Sequence, residues 1–173
     1  MGIQILVLCL CAVSVLAKNG RNCLSPSCCQ NVGVYYIFGT FPGNTSTSDI
    51  VTFYADGTLT TVSATASGIP MLSTIPQSYS ISKGVWKCRN ANTIDIKGFF
   101  FVYPAQNVPG ALLSFTVVWN SIGGGRVSGT FTGNLYDLVS VRNQNKSTWV
   151  KLAGPLTLNF QGYKALDACA DCN

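Results

Sequence analysis

The chain has no histidine and no glutamate, and each absence removes a body of chemistry. Without His, Ser-His-Asp and Cys-His nucleophilic catalysis lack their base, and His-ligated metal centres lack their ligand. Every acid is an aspartate: Asp49, Asp56, Asp95, Asp137, Asp167 and Asp171. Glycoside hydrolysis by paired carboxylates would have to run on two of these. Charge of either sign is scarce, at 10% of residues against ~25% in ordinary soluble domains. The net charge of +5 is scattered over Lys18, Arg21, Lys83, Lys87, Arg89, Lys97 and others, without a basic stripe. Nucleic acid is therefore not an expected partner. Gly123-Gly124-Gly125 joins two expected strands and precedes no helix, so it is not read as a phosphate-cradling loop. No cofactor is expected.

Long apolar runs are also missing, except at the start. Met1–Ala17 is uncharged and apolar, ends in Val15-Leu16-Ala17, and is followed by polar Lys18-Asn19-Gly20. That is the pattern of a secretory signal peptide, and it is shorter than the ~20 residues a membrane span needs. Its n-region carries no Lys or Arg. Further on, Phe99–Tyr103 is broken at once by Pro104, and Ala168–Asn173 has no hydrophobic tail. The reading is a secreted, extracellular chain with no membrane span. Its expected organisation is a signal peptide at 1–17, a cysteine-rich segment at 18–32, one β-barrel domain at 33–164 and a cysteine-containing tail at 165–173.

Cysteine usage agrees. Cys9 and Cys11 leave with the signal, and six remain: Cys23, Cys28, Cys29, Cys88, Cys169 and Cys172. An even count in an exported chain implies a disulfide framework. The distribution suggests ties between the two terminal clusters, with Cys88 taking one member; adjacent Cys28 and Cys29 are not expected to bond to each other. Cys169-x-x-Cys172 has zinc-ligand spacing, but no His completes a site and an oxidising compartment favours disulfides, so no metal is assigned. Two sequons, Asn44-Thr45-Ser46 and Asn145-Lys146-Ser147, mark candidate glycosylation sites at Asn44 and Asn145.

From residue 33 onward the chain reads as strands: Gly33–Thr40, Asp49–Tyr54, Thr58–Thr65, Tyr79–Cys88, Asn92–Tyr103, Ala111–Asn120, Arg126–Leu138, Thr148–Leu152 and Leu156–Tyr163. Turn signals separate them, including Asp56-Gly57, Gly123–Gly125 and Gly154-Pro155. Asp56-Gly57 predicts a tight hairpin, because Gly supplies the positive φ that such turns need. Alternation assigns faces. Leu156, Leu158 and Phe160 share one side; so do Ala111, Leu113, Phe115, Val117 and Trp119; so do Val127, Gly129, Phe131, Gly133 and Leu135. One face in and one face out on successive strands predicts an all-β, antiparallel up-and-down barrel of about eight or nine strands, its termini clamped by disulfides. Gly129 and Gly133 leave space on an inward face, for a large neighbour such as Trp119 or for a ligand. The segment Ala64–Ser78, with Ile69, Met71, Leu72 and Ile75, reads as an apolar loop that covers a barrel end or edge or acts as a lid.

Of the acids, Asp56 belongs to its turn, and Asp167 and Asp171 to the cysteine-bearing tail. Asp95 shares a face with Lys97, opposite Ile94 and Ile96, which reads as an ordinary solvent-facing neighbourhood. Asp49 and Asp137 carry no motif.

Gly84-Val85-Trp86 is similar to the Gly-x-Trp of lipocalins, where it stands at the first strand; here it lies mid-chain. The order Phe53-Tyr54-Ala55-Asp56-Gly57-Thr58, Gly84-Val85-Trp86, Thr93-Ile94-Asp95-Ile96 and Gly129-Thr130-Phe131-Thr132-Gly133 resembles that of uncharacterised secreted lipocalin-like (calycin-like) barrel proteins. The resemblance spans roughly residues 50 to 135. It implies a small β-barrel and no particular activity, and the cysteine clusters are an addition to the pattern.

The functional expectation is a secreted, non-enzymatic binding barrel for a small apolar ligand, lined by Trp86, Phe115, Trp119, Phe131 and Phe160. The alternative is an extracellular structural or defence protein acting through its surface. A third reading is a dirigent- or cyclase-type barrel enzyme, which a buried Asp95 or Asp137 would favour. Nothing in the sequence sets the oligomeric state.

Overall fold

The computed structural model describes residues 26–41, 45–63, 78–103, 110–143 and 145–167, and statements below refer to these. The expected signal peptide, the segment Ala64–Ser78 except for Ser78, Asn44, Cys23, Cys169 and Cys172 lie outside them.

The protein is all-β. Its nine strands are β1 (Gly33–Phe41), β2 (Thr45–Phe53), β3 (Thr58–Ser63), β4 (Ser78–Tyr79), β5 (Ser82–Asn90), β6 (Thr93–Tyr103), β7 (Ala111–Ser121), β8 (Arg126–Asp137) and β9 (Lys151–Asp167). Eight of them close an antiparallel barrel in sequence order, sealed by pairing of β1 with β9. The two-residue β4 pairs with β6 beyond β5, with Ser78 opposite Tyr103 and Tyr79 opposite Val102. Closure gives each of the eight strands a hydrogen-bonded partner on both sides.

The expected faces are the observed ones. Leu156, Leu158 and Phe160 are buried while Thr157, Asn159 and Gln161 are exposed; Ala111, Leu113, Phe115, Val117 and Trp119 are all buried. The hairpin at Asp56-Gly57 forms, with Gly57 at φ +82°. Its turn is held by Asp56, whose carboxylate accepts from the Thr58 amide at 2.8 Å and the Thr58 hydroxyl at 2.6 Å. These bonds hold the Asp56 carboxyl below its ordinary value.

Two boundaries need correcting. The strand expected at Tyr79–Cys88 is broken after Tyr79, which belongs to β4 and pairs with β6, while β5 begins at Ser82. Gly154-Pro155 was expected to separate two strands, Thr148–Leu152 and Leu156–Tyr163. Instead β9 runs unbroken for 17 residues through a cis Gly154–Pro155 bond. The register against β8 shifts there, from Gly133 opposite Leu156 to Leu135 opposite Ala153. A bulge tolerates the missing amide hydrogen of proline, and Gly154 at φ +115° takes a conformation that a side chain would strain. Thr148 lies instead in a short 3-10 turn, Lys146–Thr148.

The N-terminal segment closes one end of the barrel. A single helical turn, α1 (Pro26–Cys29), leads to buried Asn31 and Val32. Cys28 is disulfide-bonded to Cys88 on β5, with Cα atoms 6.0 Å apart. This is the expected tie of Cys88 to the N-terminal cluster. Gln30 donates to the Ala91 carbonyl at 2.7 Å, Ser121 donates to the Asn31 side-chain oxygen at 3.0 Å, and Lys164 donates to the Gln30 carbonyl at 2.9 Å. At the other end Asp137 caps a second helical turn, α2 (Leu138–Val141), by accepting from the Ser140 amide at 2.7 Å.

Candidate functional site: an uncharged groove on the outer wall

The five residues expected to line the lumen do point inward, and they meet as packed core. Near α1, Trp119 lies 5.0 Å from Phe53, 5.1 Å from Tyr35 and 5.2 Å from Phe160 between ring centroids, while Phe53 lies 5.5 Å from Trp86. Most of these contacts are edge-to-face, the arrangement favoured by ring quadrupoles. In the other half, Phe115 stacks on Phe131 at 5.2 Å and lies 6.2 Å from Phe100. Leu113, Leu135 and Leu156 pack around them. Gly129 and Gly133 show where the space went. A Cβ on Gly129 would strike the ring of Phe160, and one on Gly133 would meet Leu113 and Phe131 at 2.9 Å each. Neighbouring side chains occupy both positions.

The Phe53–Thr58 hairpin and Gly84-Val85-Trp86 touch each other. The indole N–H of Trp86 donates to the carbonyls of Tyr54 (3.1 Å) and Thr58 (3.0 Å), on either side of the Asp56-Gly57 turn. The Trp86 amide donates to the Gly57 carbonyl at 2.8 Å. Gly84 is required because any side chain there would press on the Lys97 carbonyl, 2.6 Å from a built Cβ. The motif spacing thus has a packing explanation.

The aspartates divide as follows. Asp95 faces outward and pairs with Arg89, not Lys97, through contacts of 2.5 and 3.1 Å. Asp137 is spent on its helix cap. Asp49, which no motif singled out, is the inward one. It shares the parity of Val51 and Phe53 on β2, lies opposite Ser63 on β3, and accepts from the Thr47 hydroxyl at 3.4 Å. Desolvation by burial raises its pKa, against the lowering effect of its hydrogen bonds to Ser63 and Thr47. The signal that would have found it is alternation: Asp49-x-Val51-x-Phe53 is an inward triplet with one acid in it.

The candidate site lies outside the barrel, on the wall formed by β1, β9, β8 and β7. A groove of about 630 Å³ is lined there by Phe38, Thr40, Asn120, Ser128, Thr130, Asn159 and Gln161, with Gly39, Gly129 and Phe160 beneath. Register explains the set. Thr40, Asn159 and Thr130 form one outward row across three strands; Phe38, Gln161, Ser128 and Asn120 form the next across four. The floor is low because the inward positions under it are glycines. Gly39 and Gly129 both pair with Phe160, and Gly162 pairs with Ile37 and Val127. A Cβ at Gly39, Gly129 or Gly162 would strike Leu158, Phe160 or Ile37, so these glycines let the wall approach those side chains closely.

No ionisable side chain lines the groove. Arg126 is one row away in register, opposite Tyr163. Two amides are already oriented: the side-chain oxygen of Asn159 accepts from Thr130 at 2.9 Å, and that of Asn120 accepts from Thr93 at 3.1 Å. Each therefore turns its NH2 donors away from that bond. Phe38 is 47% exposed, and its ring begins an aromatic series with Tyr36 (6.3 Å) and Tyr163 (5.7 Å from Tyr36). On the wall of β5 and β6, Val85, Phe99, Phe101 and Tyr103 are exposed as well.

Among the described residues no cluster of His, Cys, Asp or Glu is placed to hold a metal ion, and no helix is long and apolar enough to cross a membrane. Asn145, the sequon asparagine that is described, is exposed in the link between β8 and β9. Its carboxamide oxygen accepts from the Ser147 amide at 3.1 Å and hydroxyl at 2.8 Å. No family model matches the chain, and no match is found among curated proteins or solved structures.

Proposed function

We propose that this protein is a secreted, non-enzymatic binding barrel that works through its outer wall. The observation that carries the reading is the contrast between the two surfaces of one wall. Inside, the aromatic residues first in line for an apolar ligand pack on one another. Outside, the same strands present a groove with polar walls and a half-exposed ring. Eight-stranded barrels are narrow enough to be filled by their own side chains, which favours the outer wall over a lumenal apolar ligand. Secretion is supported by the N-terminal apolar segment and is compatible with the Cys28–Cys88 disulfide. The resemblance to lipocalin-like barrels implies a small β-barrel and no particular activity, so the binding role rests on the wall itself.

The test is native mass spectrometry, with organic extraction, on the mature chain from Lys18 secreted by an oxidising host. A protein mass free of apolar adducts is expected. A stoichiometric apolar molecule carried through purification would overturn the reading and return the function to the lumen.

A further inference from the structure

We infer that the outer groove is a binding site for neutral oligosaccharides, an inference that rests on the outer-wall reading above. The chemistry of the lining selects the ligand class. Asn120, Asn159 and Gln161 contribute carboxamides, and Ser128 and Thr130 hydroxyls, groups that both donate and accept hydrogen bonds. Sugar hydroxyls have the same double character. Anionic ligands call for Arg or Lys, and cations for carboxylates, and no such side chain lines the groove. A wholly apolar ligand would strand the carboxamides without partners. An extended peptide adding a strand needs a free sheet edge, and the wall here is interior to a closed barrel.

The placement of donors and ring fits the class too. Asn159 and Asn120 are held by Thr130 and Thr93 with their NH2 groups available, which reduces the ordering that binding must impose. Phe38 stands on the Gln161 row and offers an apolar ring face against which the C–H side of a pyranose can lie. The volume falls within the ~300–1,000 Å³ of small-ligand sites, but the groove is open, so affinity is expected near Kd of about 0.1–1 mM.

The experiment is an NMR titration of the ¹⁵N-labelled mature chain with cellotetraose, chitotetraose, maltotetraose and mannotetraose, with a heparin tetrasaccharide as the anionic comparator. At least one neutral tetrasaccharide is expected to give saturable shifts centred on the amides of residues 38–40, 128–130 and 159–161. Phe38→Ala and Gln161→Ala are each expected to raise Kd at least tenfold; Gln161→Ala, whose side chain is exposed, keeps the wild-type thermal midpoint, and Phe38→Ala, whose ring is half-buried, keeps the folded amide spectrum away from the groove. No shift with any neutral tetrasaccharide, shifts only with heparin, or shifts centred on Val85, Phe99 and Phe101 would overturn the inference. A clean apo mass with no sugar response removes the ligand class and leaves the outer-wall reading standing; an apolar adduct removes the reading itself.

Discussion

Trp86 and Trp119 are equally buried, at 2% and 1% exposure, yet their indole nitrogens are treated differently. That of Trp86 donates to two carbonyls, whereas that of Trp119 has no acceptor within the aromatic cluster. Trp86→Phe therefore loses ring area and hydrogen bonds, and Trp119→Phe loses ring area and relieves an unpaired donor. Each neutral hydrogen bond contributes ~0.5–1.5 kcal/mol net, so Trp86→Phe is expected to cost about 1–2 kcal/mol more than Trp119→Phe in urea unfolding. Equal costs would refute that assignment. Asp49 is the second residue with a distinct expectation. Its folded pKa lies above the ordinary 3.8, so the protonated form suits the fold. The stability this gives is fully present below the unfolded value and is lost as pH rises through the folded one. Asp49→Asn is thus expected to raise the thermal midpoint at pH 7 and to leave it unchanged near pH 3; a variant less stable at pH 7 would contradict this. Neither feature was visible as a motif. Asp49 was legible from parity alone, while the acceptors of the Trp86 indole lie 32 and 28 positions away in the chain.

At the scale of elements, alternation in β7, β8 and β9 assigned inward residues correctly because a half-solvated strand must separate its faces at every step. The glycines of β8 were legible as gaps on an inward face, but what fills them was not, since Phe160 at Gly129 and Leu113 at Gly133 come from strands outside that segment. Gly129→Ala is expected to cost about 1–3 kcal/mol, as overpacking does, because its Cβ would collide with both the Phe160 ring and the Val118 carbonyl. Gly123 has open space around its Cβ position, so crowding is not what a Gly123→Ala control would report. Its cost should reflect backbone strain at φ +85° and leave the amide spectrum of the groove unchanged. Gly129→Ala should move both stability and the groove signals. The error at Gly154-Pro155 has the same origin as these successes. A Gly-Pro pair is a turn signal locally, and only the register shift of β9 against β8 converts it into a bulge inside one long strand.

For the molecule as a whole, the Cys28–Cys88 bond joins positions 60 residues apart and fastens the N-terminal segment to the barrel end. In the chain-entropy model a loop of that size corresponds to about 4 kcal/mol, so the double variant Cys28→Ser/Cys88→Ser should lose close to that in denaturant unfolding. A loss below ~1 kcal/mol would mean that the buried contacts of Asn31 and Val32 hold the end without it. The same scale separates what was legible from what was not. Composition and alternation by themselves determined the all-β class, the inward faces and the Asp56-Gly57 hairpin, because each rests on steric rules acting over a few residues. The residue register at the seam that closes the barrel is different. Pairing of β1 with β9 sets Phe38 beside Gln161 and Thr40 beside Asn159, residues more than a hundred positions apart. No local period announces that junction, since its entropy cost is repaid only when the whole sheet has curled. The groove that this junction builds, and the chemistry proposed for it, are therefore decisions of the tertiary structure.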